Sequence, residues 1–289
     1  MVRRFNLKIM NQAHFLRFCF ANRLILKVFV GLAIGASSLL LVEIPLGRAQ
    51  SAADLLPDVP QEQPLSEAEK SLEEGLIALA QGQYEQAIAA FDQAIQRDPN
   101  FVEAYNNRGI AYGELEQYEQ AIADFNRALV LDPNSAASYF GRGTVSHKLG
   151  QAQQAYDDLT QAITLMPEWV DPYINRGLIL TNAGLREEAL QDFSQALRLN
   201  PQNVIALINR SSLYVRTGEY EKALQDANVL IDLNEGLAVA YNNRGIALAG
   251  LGQNQEARQD LEKAIAMFDA QGDMEGKRRA ETFVRVLFQ

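Results

Sequence analysis

The sequence predicts an all-α protein, a right-handed α-solenoid of six helix pairs closed by a C-terminal capping helix. A short polar stretch returns every 34 residues, most clearly as Asn106-Asn107-Arg108-Gly109. Proline and alanine keep the same interval, and no insertion interrupts it between residues 68 and 271. A fixed interval of this length is typical of stacked helix pairs, which bury their apolar faces only against their neighbours.

The recurring positions resemble the tetratricopeptide pattern of an aromatic residue, Leu-Gly, Tyr, Ala, an aromatic residue, Ala and Pro. In the second repeat they are Tyr105, Arg108-Gly109, Tyr112, Ala121, Phe125, Ala128 and Pro133. The one systematic departure is Arg in place of the Leu before Gly. We place six repeats, numbered 1 to 6, at 68–101, 102–135, 136–169, 170–203, 204–237 and 238–271.

Each repeat is predicted to contain a helix A, a tight turn and a helix B. A glycine within helix A, such as Gly109, lets helix B approach closely. A second glycine, such as Gly150, marks the turn. Helix B then presents Ala, an apolar residue and Ala on one face, and an Asp-Pro pair such as Asp132-Pro133 ends it.

The unusual arginine has a candidate partner sixteen residues later in the same repeat. We predict an ion pair between helices A and B in every repeat except the first, where Glu74 and Ala90 replace both residues. Bidentate pairs of this kind fix register, so we interpret them as structural. The five pairs are Arg108–Asp124, Arg142–Asp158, Arg176–Asp192, Arg210–Asp226 and Arg244–Asp260.

Residues 1–49 have the layout of an export segment. Basic residues precede the apolar run at 28–42, and Gly47-Arg48-Ala49 would permit cleavage before Gln50. The alternative is an uncleaved anchor with membrane association through residues 24–42. Either interpretation places the repeats outside the cytoplasm, in the periplasm or, in a cyanobacterium, the thylakoid lumen. The single cysteine, Cys19, lies in this segment, so the repeats contain no disulfide.

Two further segments flank the repeats, which extend over 67–271. Residues 50–66 form a Pro-rich acidic linker, and Ser66 is predicted to cap the first helix. Residues 272–289 are predicted to form the capping helix, with Ala280, Phe283, Val284 and Leu287 against the last repeat. In the alternative, Phe283, Val286 and Phe288 form a self-association surface.

Charge and motifs exclude several classes of function. The chain carries a net charge of −10, and because residues 1–49 contribute +6, the remainder carries −16. So acidic a protein repels phosphate backbones, which excludes nucleic acid as a partner. The two histidines, His14 and His147, have no catalytic partner in any recognisable motif. We therefore predict no enzymatic activity, no metal and no cofactor.

The resemblance implies that helix A positions 2, 5, 6, 9, 12 and 13, counted from the first residue of each repeat, line a concave groove, here called the inner face. Position 6 is mostly Asn, which resembles the asparagine ladder of the O-linked N-acetylglucosamine transferase repeats. An amide supplies both a donor and an acceptor to a peptide backbone. The predicted peptide-binding residues are Asn107, Asn175, Asn209, Asn243, Phe140, Ile174, Ile208, His147, Lys148 and Arg216.

Position 2 carries no basic residue, which argues against the carboxylate clamp of the chaperone-binding members of this family. The sequence therefore predicts a non-catalytic scaffold that binds a protein or peptide and assists assembly of an extracytoplasmic or membrane complex. The alternative is a membrane-tethered, self-associating structural protein.

Overall fold

The computed structural model describes residues 65–288, and the predicted export segment and residues 50–64 of the linker lie outside them. The described residues form thirteen α-helices and no strand. They belong to two compact units that divide after Leu131. The predicted all-α fold, helix pairs followed by one further helix, is confirmed.

The N-terminal unit holds repeats 1 and 2. Its helices are α1 (Glu67–Ala80), α2 (Tyr84–Arg97), α3 (Val102–Glu114) and α4 (Tyr118–Leu131). Ser66 caps α1 as predicted: its hydroxyl accepts from the Glu69 backbone N–H, and the Glu69 carboxylate accepts from the Ser66 N–H at 2.8 Å. This reciprocal capping box fixes the start of the first repeat.

The C-terminal unit holds repeats 3 to 6 and the final helix. Odd-numbered helices up to α11 are A helices, and even-numbered ones are B helices. The elements are α5 (Ala136–Lys148), α6 (Ala152–Leu165), α7 (Val170–Asn182), α8 (Arg186–Leu199), α9 (Val204–Thr217), α10 (Tyr220–Leu233), α11 (Ala238–Gly250), α12 (Asn254–Gln271) and α13 (Met274–Phe288).

The A-to-B turn uses a left-handed backbone conformation, as the recurring glycine predicts. Gly150, for example, has φ 75°, whereas repeat 2 places Glu116 there with φ 59°. A side chain in this region is strained, so the turn of repeat 2 is the least favourable of the set.

The glycine within helix A makes room for a large residue of helix B. A Cβ on Gly177 would lie 2.7 Å from the Phe193 ring, and one on Gly245 would lie 2.8 Å from Leu261. Repeat 5 has Ser211 instead of this glycine, and there the facing helix B residue is Ala227 rather than Phe or Leu. The larger residue on helix A of repeat 5 is thus compensated by a smaller residue on its helix B.

The last B helix is longer than the others. α12 has 18 residues, whereas the other B helices have 14. Asp269 stands where repeats 1 to 4 have proline, but repeat 5 has Glu235 there and α10 still ends at Leu233. α12 continues to Gln271, and Gly272 then ends it in the left-handed conformation. α13 packs on α12 and α11, with Ala280 fully buried in the core shared with repeats 4 to 6.

Candidate peptide-binding face

The five predicted Arg–Asp pairs are all present, and each is bidentate. In the pair of Arg176 with Asp192, Nε donates to Oδ2 at 2.8 Å and Nη2 donates to Oδ1 at 2.7 Å. The same two bonds recur in the other four pairs. Asp192 holds the pKa of Arg176 above its ordinary value, since the hydrogen bonds stabilise the charged guanidinium.

The arginine also binds the preceding repeat, which the sequence analysis missed. Nη1 of Arg176 donates to Thr160 of α6 at 3.0 Å, and Nη1 of Arg210 donates to Ser194 of α8 at 3.1 Å. Arg108 reaches Asp92 and Arg244 reaches Asn228 in the same way. One guanidinium therefore joins two successive B helices and holds the spacing of the A helices that carry the candidate site.

Two of the predicted ladder asparagines bind the preceding A helix. Nδ2 of Asn175 donates to the Thr144 hydroxyl at 3.2 Å. Nδ2 of Asn243 donates to the Ser212 hydroxyl at 2.9 Å. Thr144 and Ser212 both occupy position 9 of the preceding repeat, so positions 6 and 9 of adjacent A helices lie side by side in the C-terminal unit.

The other two asparagines turn back to their own helix. Nδ2 of Asn209 donates to the Ile205 carbonyl at 2.8 Å, and Nδ2 of Asn107 donates to the Glu103 carbonyl at 2.7 Å. In both cases position 9 of the preceding repeat is leucine, Leu178 or Leu76, which accepts no hydrogen bond. The residue type at position 9 thus decides where each amide points.

The structure narrows the predicted set of binding residues. Phe140 and Ile174 are 6% and 3% exposed and belong to the core, where the Phe140 ring packs against Trp169 at a tilt of 48°, with 4.5 Å between ring centroids. Both are therefore packing residues, which corrects their prediction as groove anchors. Asn243 is 4% exposed and donates to Ser211 as well as Ser212, so its N–H groups are occupied. Asn107 is also buried.

The remaining predicted residues are accessible in the C-terminal unit. Asn175, Asn209, Ile208 and His147 are partly exposed, while Lys148 and Arg216 are exposed. Sequence reasoning missed Ile205, which is 40% exposed at position 2, and the partly exposed Val239 at position 2 of the next repeat. The inner-face rule used for the other residues would have found both, because they occupy one of its positions.

The inner-face positions of the two units differ in charge. In the C-terminal unit, exposed Lys148 and Arg216 stand at position 13, and the only acidic inner-face residue is Asp171, which accepts from the Trp169 Nε1 at 3.3 Å. In the N-terminal unit the same set of positions carries four acids and no base: Glu69, Glu73, Glu103 and Glu114. The C-terminal unit is thus the one suited to acidic groups of a partner.

Within residues 65–288, no group of His, Cys, Asp and Glu side chains is arranged to hold a metal ion. Over the same range, no helix combines the length and apolar character needed to span a bilayer. His147 lies near the end of α5 beside Lys148.

Models of the tetratricopeptide repeat match residues 72–136, 106–167, 170–203 and 237–268. The chain belongs to the tetratricopeptide repeat family, whose members bind protein or peptide partners. This family assignment confirms the resemblance drawn from the repeat pattern. A search among curated proteins gave no significant match.

Among solved structures, YrrB, described as a TPR protein with an unusual peptide-binding site, is 25% identical. The match covers 67% of this chain and 98% of YrrB, with a TM-score of 0.57. MamA is also 25% identical over 56% of this chain and 94% of its own, with a TM-score of 0.51. The pilF protein of Pseudomonas aeruginosa has a TM-score of 0.66 at 19% identity over 74% of this chain and 96% of its own, which reflects the fold alone.

Proposed function

We propose that the chain is a non-catalytic scaffold that binds a protein or peptide segment on the inner face of its C-terminal unit. In this proposal it assists assembly of an extracytoplasmic or membrane complex. The general role as an interaction scaffold follows from the family. The peptide-binding description of YrrB and the export segment predicted at residues 1–49 support the more specific role.

The observation that carries the proposal is the hydrogen bonding between adjacent A helices. Asn175 joins repeats 3 and 4 through Thr144, and Asn243 joins repeats 5 and 6 through Ser212. The A helices of repeats 4 and 5 are also in contact, so the inner-face positions of repeats 3 to 6 form one continuous row. Asn209 lies within that row and donates one amide hydrogen to the Ile205 carbonyl of its own helix. Among the described residues its second N–H donates to no partner and its Oδ1 accepts from none, so the two groups suit a peptide unit.

The side chains around Asn209 define the segment that would bind. Ile205 and Ile208 flank it on α9 as accessible apolar surface, and Arg216 adds a positive charge at the end of the same helix. An extended segment with an apolar residue followed by an acidic residue would match these groups. Lys148 at the end of α5 supplies a second positive charge on this face.

The experiment is a capture of partners by the full chain from the membrane and soluble fractions of its native host. An Asn175→Ala/Asn209→Ala variant is compared with a Gln191→Ala/Gln225→Ala control. The control also removes two amides, but from exposed positions on the B helices α8 and α10. We expect a partner that the wild type and the control capture and the asparagine variant loses at least tenfold.

A binding assay with a peptide from that partner then tests the recognition. We expect Ile205→Asp and Arg216→Glu each to weaken binding of this peptide. Equal capture by all three proteins, with unchanged circular dichroism, would contradict recognition on this face.

A further inference from the structure

The face of each A helix that meets the preceding repeat is built from positions 3 and 10. Ala111 at position 10 packs on Leu76 and Phe91 of repeat 1, and Leu213 packs on Leu180 and Phe193 of repeat 4. These two positions are buried throughout repeats 2, 4, 5 and 6, where they hold Ala104, Ala111, Pro172, Ile179, Ala206, Leu213, Ala240 and Ala247.

In the first A helix the same face is exposed. Positions 3 and 10 of α1 are Lys70 and Ile77, and Ile77 is 51% exposed. Glu74 stands where later repeats have the arginine that binds the preceding B helix, and it is exposed as well. With four glutamates and one lysine, α1 carries a net charge of −3 and is the most acidic of the thirteen helices.

At the opposite end of the chain, α13 also has an exposed face, and this helix carries a net charge of the other sign. α13 packs on α11 and α12 as the next A helix would, with Gly276 against Phe268. Its outer face exposes Phe283 and Val286, the latter at 73%, beside Arg278 and Arg279. A shallow depression of about 310 Å³ on this face is lined by Glu275, Arg278, Arg279, Thr282 and Phe283. α13 carries a net charge of +2.

We propose that copies of this chain associate head to tail, the outer face of α13 in one copy receiving the exposed face of α1 in the next. The two helices carry net charges of opposite sign, −3 on α1 and +2 on α13, and each exposed face offers apolar surface: Ile77 on α1, and Phe283 with Val286 on α13. The contact extends the packing used inside the molecule, where positions 3 and 10 of an A helix meet the preceding repeat. It is heterologous, so it leaves one free face at each end and permits growth beyond a dimer.

The charge distribution favours this occupant over two others. Pairing of two α13 helices about a two-fold axis would bring Arg278 and Arg279 of both copies to one interface, where like charges repel. An anionic lipid surface would attract α13 but repel the rest of a polypeptide that carries −16 after residue 49. A second copy supplies an acidic complement at α1 itself.

The test uses two variants of the full chain, each blocked at one end, studied by sedimentation velocity in a mild detergent over a range of concentrations. Ile77→Asp blocks the α1 face, and Val286→Asp blocks the α13 face. Val130→Asp is the control, because Val130 is also a valine in the last turn of a helix and is 70% exposed.

We expect the wild type and the Val130 control to form dimers and larger species as concentration rises. Each blocked variant alone is expected to stay monomeric, with self-association weakened at least about tenfold by a carboxylate in an apolar contact. An equimolar mixture of the two blocked variants should form a dimer and stop there, because each supplies the face that the other lacks.

Other outcomes overturn the proposal. If the Ile77→Asp variant dimerises alone, the contact is between two α13 helices. If the wild type stays monomeric at all concentrations and Ile77→Asp lowers its melting temperature, the α1 face is covered within one chain. Flotation with phosphatidylglycerol vesicles that is lost in Arg278→Glu/Arg279→Glu, without any self-association of the wild type, identifies a lipid surface instead.

A charge exchange provides a second test that leaves the apolar residues in place. Glu73→Lys/Glu74→Lys and Arg278→Glu/Arg279→Glu should each reduce self-association. Mixing the two double variants should restore the contact, because the basic α1 of one is complementary to the acidic α13 of the other, and combining all four changes in one chain should restore self-association for the same reason. Failure of the combined variant to recover, with its helix content intact, contradicts the electrostatic part of the proposal.

Discussion

One arginine in each of repeats 2 to 6 holds its own B helix through two hydrogen bonds, and in repeats 2, 4, 5 and 6 its third nitrogen also donates to the preceding repeat. Its aspartate is almost fully buried, whereas the guanidinium is about one fifth exposed, as in Arg142 with Asp158 at 19% and 3%. Removing the carboxylate leaves a partly buried cation without its partner. The pair therefore matters more for register than for net stability.

Adjacent aspartates in α6 offer a matched test of this pair. Asp158 binds Arg142, whereas Asp157 is exposed and accepts only from Gln153. We expect Asp158→Ala to lower the free energy of unfolding by about 3 kcal/mol, at the low end for buried pairs because Arg142 is partly solvated. Asp157→Ala should change it by less than about 0.5 kcal/mol.

The single tryptophan provides the readout for both variants. Trp169 packs on Phe140 in the same repeat, so its fluorescence during urea unfolding reports on repeat 3. Equal unfolding midpoints for the two alanine variants would show that the pair contributes nothing to repeat 3.

Glu116 is the one non-glycine residue with positive φ in the described chain. A side chain in the left-handed region costs about 1–2 kcal/mol, and glycine avoids most of that cost. We expect Glu116→Gly to raise the stability of the N-terminal unit by about 1 kcal/mol. Gly150→Ala, at the equivalent turn of repeat 3, should lower stability by a similar amount.

Thermal melting followed by circular dichroism compares the two turn variants. The control is Glu119→Gly, which places glycine inside α4 and should destabilise by roughly 0.5–1 kcal/mol. A loss of stability in Glu116→Gly would mean that its side chain contributes contacts that outweigh the backbone strain.

At the scale of the helix, the contact between helices A and B is set by a pair of residue sizes. Repeat 4 combines Gly177 with Phe193, and repeat 5 combines Ser211 with Ala227. We expect Gly177→Ser alone to destabilise by at least about 2 kcal/mol, because a Cβ there would lie 2.7 Å from the ring. Phe193→Ala alone should destabilise by roughly 3–5 kcal/mol through the cavity it leaves.

The double variant reproduces the pair of repeat 5, so it should lose less stability than the sum of the two single variants. The coupling energy is expected to be about 1–3 kcal/mol, as for other residues in direct contact. A double-mutant cycle by urea denaturation measures it. Strict additivity would show that repeat 4 relieves the clash without using the space of Phe193.

The elements could be predicted from the sequence because their signals recur at one interval. The helix pairs, the turn glycines and the Arg–Asp pairs each appear five or six times with the same residue types. The third arginine contact escaped prediction because its partner changes between Asp92, Thr160, Ser194 and Asn228. No repeated residue type marked that position.

The candidate site was predicted less completely, for a physical reason. The family positions identify which side chains start toward the inner face, but burial depends on the neighbouring helices. Ile174 is buried in the core, whereas Ile208, the same residue type at the same position of the next repeat, remains partly exposed, so their different burial comes from their neighbours. Likewise, the direction of Asn209 depends on Leu178 in another repeat, a relation that a single position does not reveal.

At the scale of the whole molecule, stability in a repeat protein is transmitted only between neighbours. The core shared by repeats 4 to 6 includes Phe268 of α12 and Ala280 of α13, both buried. The N-terminal unit has its own cluster around Phe91 and Ala111. Loss of α13 should therefore lower the stability of the last repeats far more than that of the first repeats.

Ending the chain after Gln271 tests this expectation. Removal of α13 exposes Phe268 and the apolar surface of α11 and α12, so backbone amides there should exchange with solvent at least tenfold faster. Amides of α1 to α4 should exchange at the rate seen in the full chain, which serves as the internal control. Hydrogen–deuterium exchange with mass spectrometry resolves these segments. A uniform acceleration across all helices would mean that the repeats unfold as one cooperative unit, and α13 would then stabilise the whole array rather than its last repeats.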